Sequence, residues 1–359
     1  MFTRRLLGSS LEKSFDLIKK VYAEQMPTLS KGLHMDLLWR YKSMGKTLDY
    51  VTDTVKLQTM HHQAAFNLNE WAKERKSPAN LVEVIKKDWG LATLQATKKY
   101  GKSYAVLNMA NSVFPGGGCL EGLNAQEENI WHRSTCIISL LDEQVIFDES
   151  SQSFCYNEMT TKMLEAKIKM SNAEHLQLKK ICGSVGSVTY KAFFSRVPRI
   201  CFRGPEVQVE SSSFVFTESH IPSVLDTNQS YFFLPRQDIF PFYELRSAAP
   251  SRDALSEKAQ YRDEIRRRIE SQLDTLILEG QKNVILGAWG CGVFKNDPEI
   301  VAEIYREEIE KRADFFEHIV FAIINSGRSD KYAIFERKLN HIKLRSEASE
   351  SLTANKPQL

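Results

Sequence analysis

The spacing of apolar residues divides the chain near residue 80. In "LEKSFDLIKKVYAEQM" Phe15, Ile18, Val21 and Tyr22 share one face, with lysines and glutamates opposite. "MDLLWRYKSMGKTLDYVTDTVKLQTMHHQAAFNLNEWAKER" continues with helical spacing and no proline. Residues 1–79 are therefore expected to be a helical N-terminal extension. Beyond them, short apolar runs bounded by glycine alternate with amphipathic stretches. Residues 103–110, 199–204, 212–216, 283–289 and 316–324 are strand candidates, and 125–141, 156–181, 253–279 and 298–313 are helix candidates. Such alternation implies an α/β fold with a mostly parallel sheet flanked by helices. The segment 341–359 has little apolar content and is expected to be a mobile tail. No internal repeat is visible.

Composition adds exclusions. The 48 basic and 45 acidic side chains nearly cancel, so no global field favours nucleic acid or an anionic membrane. "MFTRRLLGSS" is too short in apolar residues for a signal peptide, and no run approaches the roughly 18 apolar residues of a membrane span. Six dispersed cysteines without a C-x-x-C pair fit reduced thiols and a cytoplasmic location. Cys119, His132 and Cys136 lack the tight spacing of zinc ligands, so no metal is expected. Arg266, Arg267 and Arg268 are expected on a solvated helix face.

Chemistry concentrates in two glycine-rich loops. "PGGGCLEGLNAQEEN" ends with Gln126, Glu127 and Glu128. Asn124 fits an N-cap, with Glu127 closing a capping box and Glu128 in a first turn that favours negative charge. That reading leaves Gly116, Gly117 and Gly118 unexplained, because three missing side chains let backbone amides approach an anion or a sugar. Glu128 and His132 stand four residues apart, the spacing of a surface ion pair. The second loop, "VILGAWGCGVFKNDPEIVAEIYREEI", carries a strand into Gly287, Gly290 and Gly292 and then a helix with Asp297 as N-cap and Pro298 at its first position. Loop amides and a helix start make an anion cradle. Two such loops in one parallel sheet point to a phosphorylated sugar at the strands' carboxyl ends.

"VLNMANSVFPGGGCLEGLNAQEENIWHRST" resembles the signature of bacterial-type poly(ADP-ribose) glycohydrolases: GGG, a spacer of six to eight residues, then QEE. It matches at Gly116, Gly117, Gly118, Gln126, Glu127 and Glu128. "LGAWGCGVFKNDP" is similar to that family's diphosphate loop, and "FYELRSAAPS" to its buried strand and the turn before a long helix. The resemblance implies a macrodomain-like fold over residues 80–340. It also implies an ADP-ribose glycohydrolase without cofactor, acting on poly(ADP-ribose) or ADP-ribosylated protein. Glu128 would be the catalytic carboxyl and Glu127 would hold ribose hydroxyls; Asn108 and Asn111 would orient the distal ribose. Gly290, Cys291, Gly292 and Val293 would bind the diphosphate, and Phe294 would pack on the ribose being cleaved. Cleavage through an oxocarbenium-like state needs an acid for the leaving oxygen and then a base for water. Burial beside a second carboxylate favours the protonated start, and the helix N-terminus opposes it. The alternative for Phe294 is a core residue under the loop. Three other readings stay open: an ADP-ribose reader, a mono-ADP-ribosyl-protein hydrolase with a specific partner, and a scaffold whose glycine loops are only turns. The glutamate- and serine-rich tail also loosely resembles export signals of bacterial effectors.

Overall fold

In a computed structural model, the structure describes residues 9–27, 35–183, 185–210, 223–254, 258–325 and 330–344. The helices are α1 (Ser9–Glu24), α2 (Met35–Val51), α3 (Thr54–Lys73), α4 (Trp89–Tyr100), α5 (Gln126–Arg133), α6 (Glu158–Leu164), α7 (Asn172–Cys182), α8 (Lys258–Leu278), α9 (Pro298–Glu310) and α10 (Lys331–Leu339). The strands are β1 (Leu81–Ile85), β2 (Tyr104–Asn108), β3 (Val145–Asp148), β4 (Ser153–Tyr156), β5 (Phe193–Cys201), β6 (Gln208–Glu210), β7 (Ser223–Leu225), β8 (Phe240–Arg246), β9 (Asn283–Leu286) and β10 (His318–Ala322). They form two compact units. The first comprises the described residues of Met1–Asn67, Val113–Asn157 and Arg199–Phe240; the second comprises those of Leu68–Ser112, Glu158–Pro198 and Pro241–Leu359.

The second unit is built on a sheet of order β1-β10-β9-β2-β8-β5. Neighbours from β1 through β8 pair in parallel. All residues of β2 and β9 are buried, as expected of strands covered on both faces. Edge strand β1 alternates half-buried and buried positions. Its outer side is covered by residues after α10, through Val82 N to Ile342 O (2.9 Å) and His341 N to Val82 O (2.8 Å); an edge so paired offers no free ladder. The core joins sheet residues such as Leu107, Val284 and Phe321 to Ile265, Ile269 and Leu273 of α8 and Val301 and Tyr305 of α9.

The first unit is mainly helical, with two small antiparallel pairs, β3–β4 and β6–β7. Helices α1 and α2 meet through stacked Tyr22 and Tyr41 rings 4.3 Å apart. Each tyrosine hydroxyl donates to the other residue's carbonyl, at 2.8 and 3.1 Å.

Several elements depart from the sequence pattern. The single helix expected over 125–141 stops at Arg133, because Ser134 is extended; a 3-10 turn from Thr135 to Leu141 follows. The helix expected over 156–181 is β4 followed by α6 and α7. Ala166 takes a left-handed φ of 52° after α6, and Ser171 caps α7 in a capping box with Glu174. The candidate strand 212–216 and residues 345–359 of the tail lie outside the described residues. Arg266–Arg268 do not form a solvated face. Arg266 pairs with Glu307 and Glu308, Arg267 with Glu264, and buried Arg268 reaches Glu264 and the Ala248 carbonyl.

The packing of α8 on α9 buries charge. Arg312 donates to Asp274 at 2.6 Å and to Glu308 at 2.7 Å. Glu270 lies beside them, and burial, reinforced by Glu308, pushes its carboxyl up to about 7. The folded chain then holds a proton that the unfolded chain releases near its ordinary value of 4.5. Between those values the folded state binds more protons, so this contribution to stability falls as pH rises. Denaturant titrations at pH 5 and pH 7.5 are expected to show a smaller loss of stability for Glu270→Gln than for wild type across that interval. An unchanged difference would contradict the assignment.

Candidate active site

In the first unit, residues 115–128 fold back on α5. Gly116 and Gly117 adopt φ of +79° and +56°, a conformation costly for residues with a Cβ. Space forbids a side chain as well: a Cβ on Gly116 would come within 2.4 Å of the Trp131 ring, and one on Gly117 within 2.3 Å of Glu128 Oε1. Glycine here serves the carboxylates directly. Gly116 N donates to Glu127 Oε1 (3.1 Å), Gly118 N to Glu128 Oε1 (3.1 Å) and Ala125 N to Glu128 Oε2 (3.0 Å). Glu127 and Glu128 are only 3% and 8% exposed, so these amides replace much of the water the carboxylates have lost. The Cys119 thiol beside them is pushed well above its ordinary range, by burial first and by Glu128 and Glu127 second.

Helix α5 begins one residue later than the sequence suggests. Ala125, not Asn124, is the N-cap, and Glu128, not Glu127, reaches back to the capping amide. Asn124 is occupied elsewhere: its Nδ2 donates to Glu206 Oε1 at 2.8 Å. Gln126, the first helical residue, is half-buried.

His132 also departs from expectation. It is fully buried and stacks on Tyr231 with ring centroids 5.1 Å apart. Burial, with Arg203 and Arg40 nearby, pushes its pKa down to about 3. It is neutral at physiological pH and makes no ion pair with Glu128.

In the second unit, Asn108 ends β2 and is fully buried. Its Nδ2 donates to Glu244 Oε1 (2.8 Å), while Glu244 Oε2 accepts from Arg246 Nη2 (2.7 Å). Asn108 Oδ1 has no hydrogen-bond partner among the described residues, which leaves a buried acceptor suited to a hydroxyl donor. Glu244 and Arg246 escaped the sequence reading, although two charges at i and i+2 in an apolar strand are a recognisable signal of a buried polar pair. Asn111 lies half-buried three residues beyond Asn108.

The second glycine loop follows β9, the parallel neighbour of β2, so both strands present their carboxyl ends to the same edge. Trp289 anchors it from beneath through Nε1 to Ser247 O (3.0 Å). Gly290 takes φ +73°, and a Cβ there would lie 2.3 Å from Asn296 Nδ2. Asn296 N and Lys295 N close the loop onto Gly290 O and Gly292 O, both at 3.0 Å. The amides of Gly292, Val293 and Phe294 donate to no group among the described residues. Cys291 is buried, Val293 is 80% exposed, and half-buried Phe294 packs against the core. Asp297 caps α9, with Pro298 at its first position. Consecutive open amides beside a helix start can receive an anion.

Residues 41–164 match the family model of the microbial-type PARG catalytic domain. The chain is 20% identical to the crystal structure of poly(ADP-ribose) glycohydrolase from Thermomonospora curvata, covering 84% of this chain and 99% of that one with a TM-score of 0.51. The same enzyme bound to the inhibitor ADP-HPD gives 20% identity, the same coverage and a TM-score of 0.50. A structure of the Deinococcus radiodurans enzyme in complex with ADP-ribose is 22% identical, covering 77% of this chain and 91% of that one, with a TM-score of 0.45. No curated protein matches the chain. The Thermomonospora likeness bears out the expected macrodomain-like α/β fold, and over residues 41–164 the family match bears out the resemblance to bacterial-type poly(ADP-ribose) glycohydrolases.

Because Gly117 lies over both carboxylates, Gly117→Ala is expected to destabilise the protein by about 1–3 kcal/mol, the usual cost of forcing a side chain into such a conformation. Chemical denaturation measures this. Wild-type stability in the variant would contradict the packing described.

Proposed function

We propose that the protein is an ADP-ribose glycohydrolase that hydrolyses the ribosyl bond of poly(ADP-ribose). The observation carrying this reading is the buried Glu127–Glu128 pair, held by amides of the Gly116–Gly118 loop and of Ala125. An adjacent carboxylate pair maintained at this burial is costly to stability, and a turn or a simple nucleotide reader has no use for it.

In this reading the Glu128 carboxyl gives a proton to the leaving oxygen as the ribosyl C–O bond breaks and positive charge develops on the sugar. The carboxylate then takes a proton from the water that attacks the same carbon, which returns the acid and completes ADP-ribose. Each oxygen of Glu128 accepts one amide bond and retains a second lone pair, so proton transfer does not require the loop to open. Glu127 holds ribose hydroxyls. Asn108 and Asn111 orient the distal ribose, and Asn108 Oδ1 is the acceptor available for it. The amides of Gly292 and Val293 receive the diphosphate, while that of Cys291 donates to Ala288 O (3.1 Å) and holds the loop in shape. Phe294 packs on the ribose, and Gln126 contacts the substrate beside the acidic pair. The substrate partner is ADP-ribosylated protein or polymer, and dispersed thiols agree with a reducing, cytoplasmic setting.

Glu128→Gln is expected to lower turnover of poly(ADP-ribose) by about 10²–10⁴-fold, the usual worth of a general acid–base group, while ADP-ribose binding by calorimetry is retained. Full turnover in that variant would remove Glu128 from the mechanism. Parallel assays on mono-ADP-ribosylated protein decide the substrate: release from that substrate alone would replace the polymer assignment with a mono-specific one, and binding without release would mean a reader.

A further inference from the structure

Helix α5 has only eight residues, too few to hold its own ends by helix propensity. Both ends are held from α2. At the C-terminal end, Thr47 Oγ1 donates to His132 O at 2.6 Å, and the amides of Phe202 and Arg203 donate to Arg133 O at 3.0 and 3.2 Å. Arg203 is itself tied to α2 through Ser43 O and Thr47 Oγ1, both at 2.7 Å. At the N-terminal end the link is a carboxylate. Arg40 of α2 grips Glu206 with two bonds, Nε to Oε2 at 2.7 Å and Nη2 to Oε1 at 2.9 Å. Glu206 also accepts from Asn124 Nδ2 (2.8 Å), Tyr231 OH (3.2 Å) and Gln208 Nε2 (3.3 Å). The Glu206 side chain is 5% exposed and that of Arg40 13%, so the pair is shielded from the screening that weakens surface ion pairs.

The grip on Asn124 has a consequence for the acidic pair. Asparagine is among the strongest N-caps and alanine among the weakest. Left to local preference, the helix would start with Asn124 as cap and place Glu127 at the third helical position. With Asn124 drawn onto Glu206, the cap moves to Ala125, and Glu128 becomes the residue whose carboxylate reaches the capping amide. We propose that Arg40 and Glu206 are positioning residues which, by withholding Asn124 from the cap, select the helix start that places Glu128 on the Gly118 and Ala125 amides and Glu127 on Gly116.

This inference rests on the reading of Glu128 as the reacting carboxyl, and the experiment separates the two. Poly(ADP-ribose) turnover is measured for wild type, Glu128→Gln, Glu206→Ala, Arg40→Met and the double variant Glu206→Ala/Asn124→Ala, with amide hydrogen exchange at Ala125 followed in each. In Glu206→Ala and Arg40→Met, kcat is expected to fall on the order of 10–100-fold with KM within about twofold, since small displacements of a reacting group cost that much. Protection of the Ala125 amide should drop in both. Removing the competing cap in the double variant should recover several-fold of the lost kcat and part of the protection, whereas a merely structural loss would deepen. Glu206→Gln keeps an oxygen for Asn124 and Tyr231 without the charge, and should fall between wild type and Glu206→Ala; it carries the test if the alanine variant does not fold. Wild-type kcat and wild-type Ala125 protection in Glu206→Ala would overturn the proposal, as would a double variant worse than the single. If wild type itself releases no ADP-ribose, the glycohydrolase reading fails, and the exchange data alone decide whether Glu206 sets the helix start.

Discussion

Two neighbouring carboxylates can be buried only if something replaces the water they lose, and here the replacement is backbone. Gly116, Gly118 and Ala125 each present an amide to Glu127 or Glu128. Those amides converge because Gly116 and Gly117 turn the chain through positive φ and because neither residue has a side chain to collide with Trp131 or with the carboxylates themselves. The acidic pair and the glycine run are thus one structure. The glycines expected to admit a ligand's phosphate or hydroxyls are first of all the solvation shell of the acids, whereas in the other loop the amides of Gly292, Val293 and Phe294 donate to no group among the described residues.

The helical segment before residue 80 enters this arrangement through α2. Gly122, which closes the acidic loop, lies against α2 so closely that a Cβ would come within 2.4 Å of Leu37 O. Arg40, Ser43 and Thr47, about one helical turn apart, reach Glu206, Arg203 and the C-terminal end of α5 in turn. The family match begins at residue 41, inside this helix. His132 fits the same logic. A buried cation there would confront Arg203 and Arg40, so the ring stays neutral and contributes flat surface against Tyr231.

What was legible in the sequence follows the range of the interactions. Buried parallel strands announce themselves by continuous apolar runs, so β2, β9 and β10 appear close to their expected places. The cap of α9 was readable because Asp297 and Pro298 act on their own helix. The cap of α5 was misread because its determinant, Glu206, lies 82 residues from Asn124, and local preference cannot see it. His132 was misread for a related reason: a spacing of four residues says which side chains are neighbours on a helix, not which face is buried. The breaks that split 156–181 depend on a left-handed Ala166, a conformation alanine does not advertise.

The central claim, that the ribosyl bond is the one broken, is tested most directly by the mass of the product. Purified protein incubated with poly(ADP-ribose) and analysed by mass spectrometry should yield free ADP-ribose as the only small product, and the Glu128→Gln form should yield almost none. Phosphoribosyl-AMP would show cleavage at the diphosphate instead, and ADP-ribose released equally by both forms would show that the buried carboxylate does not perform the reaction.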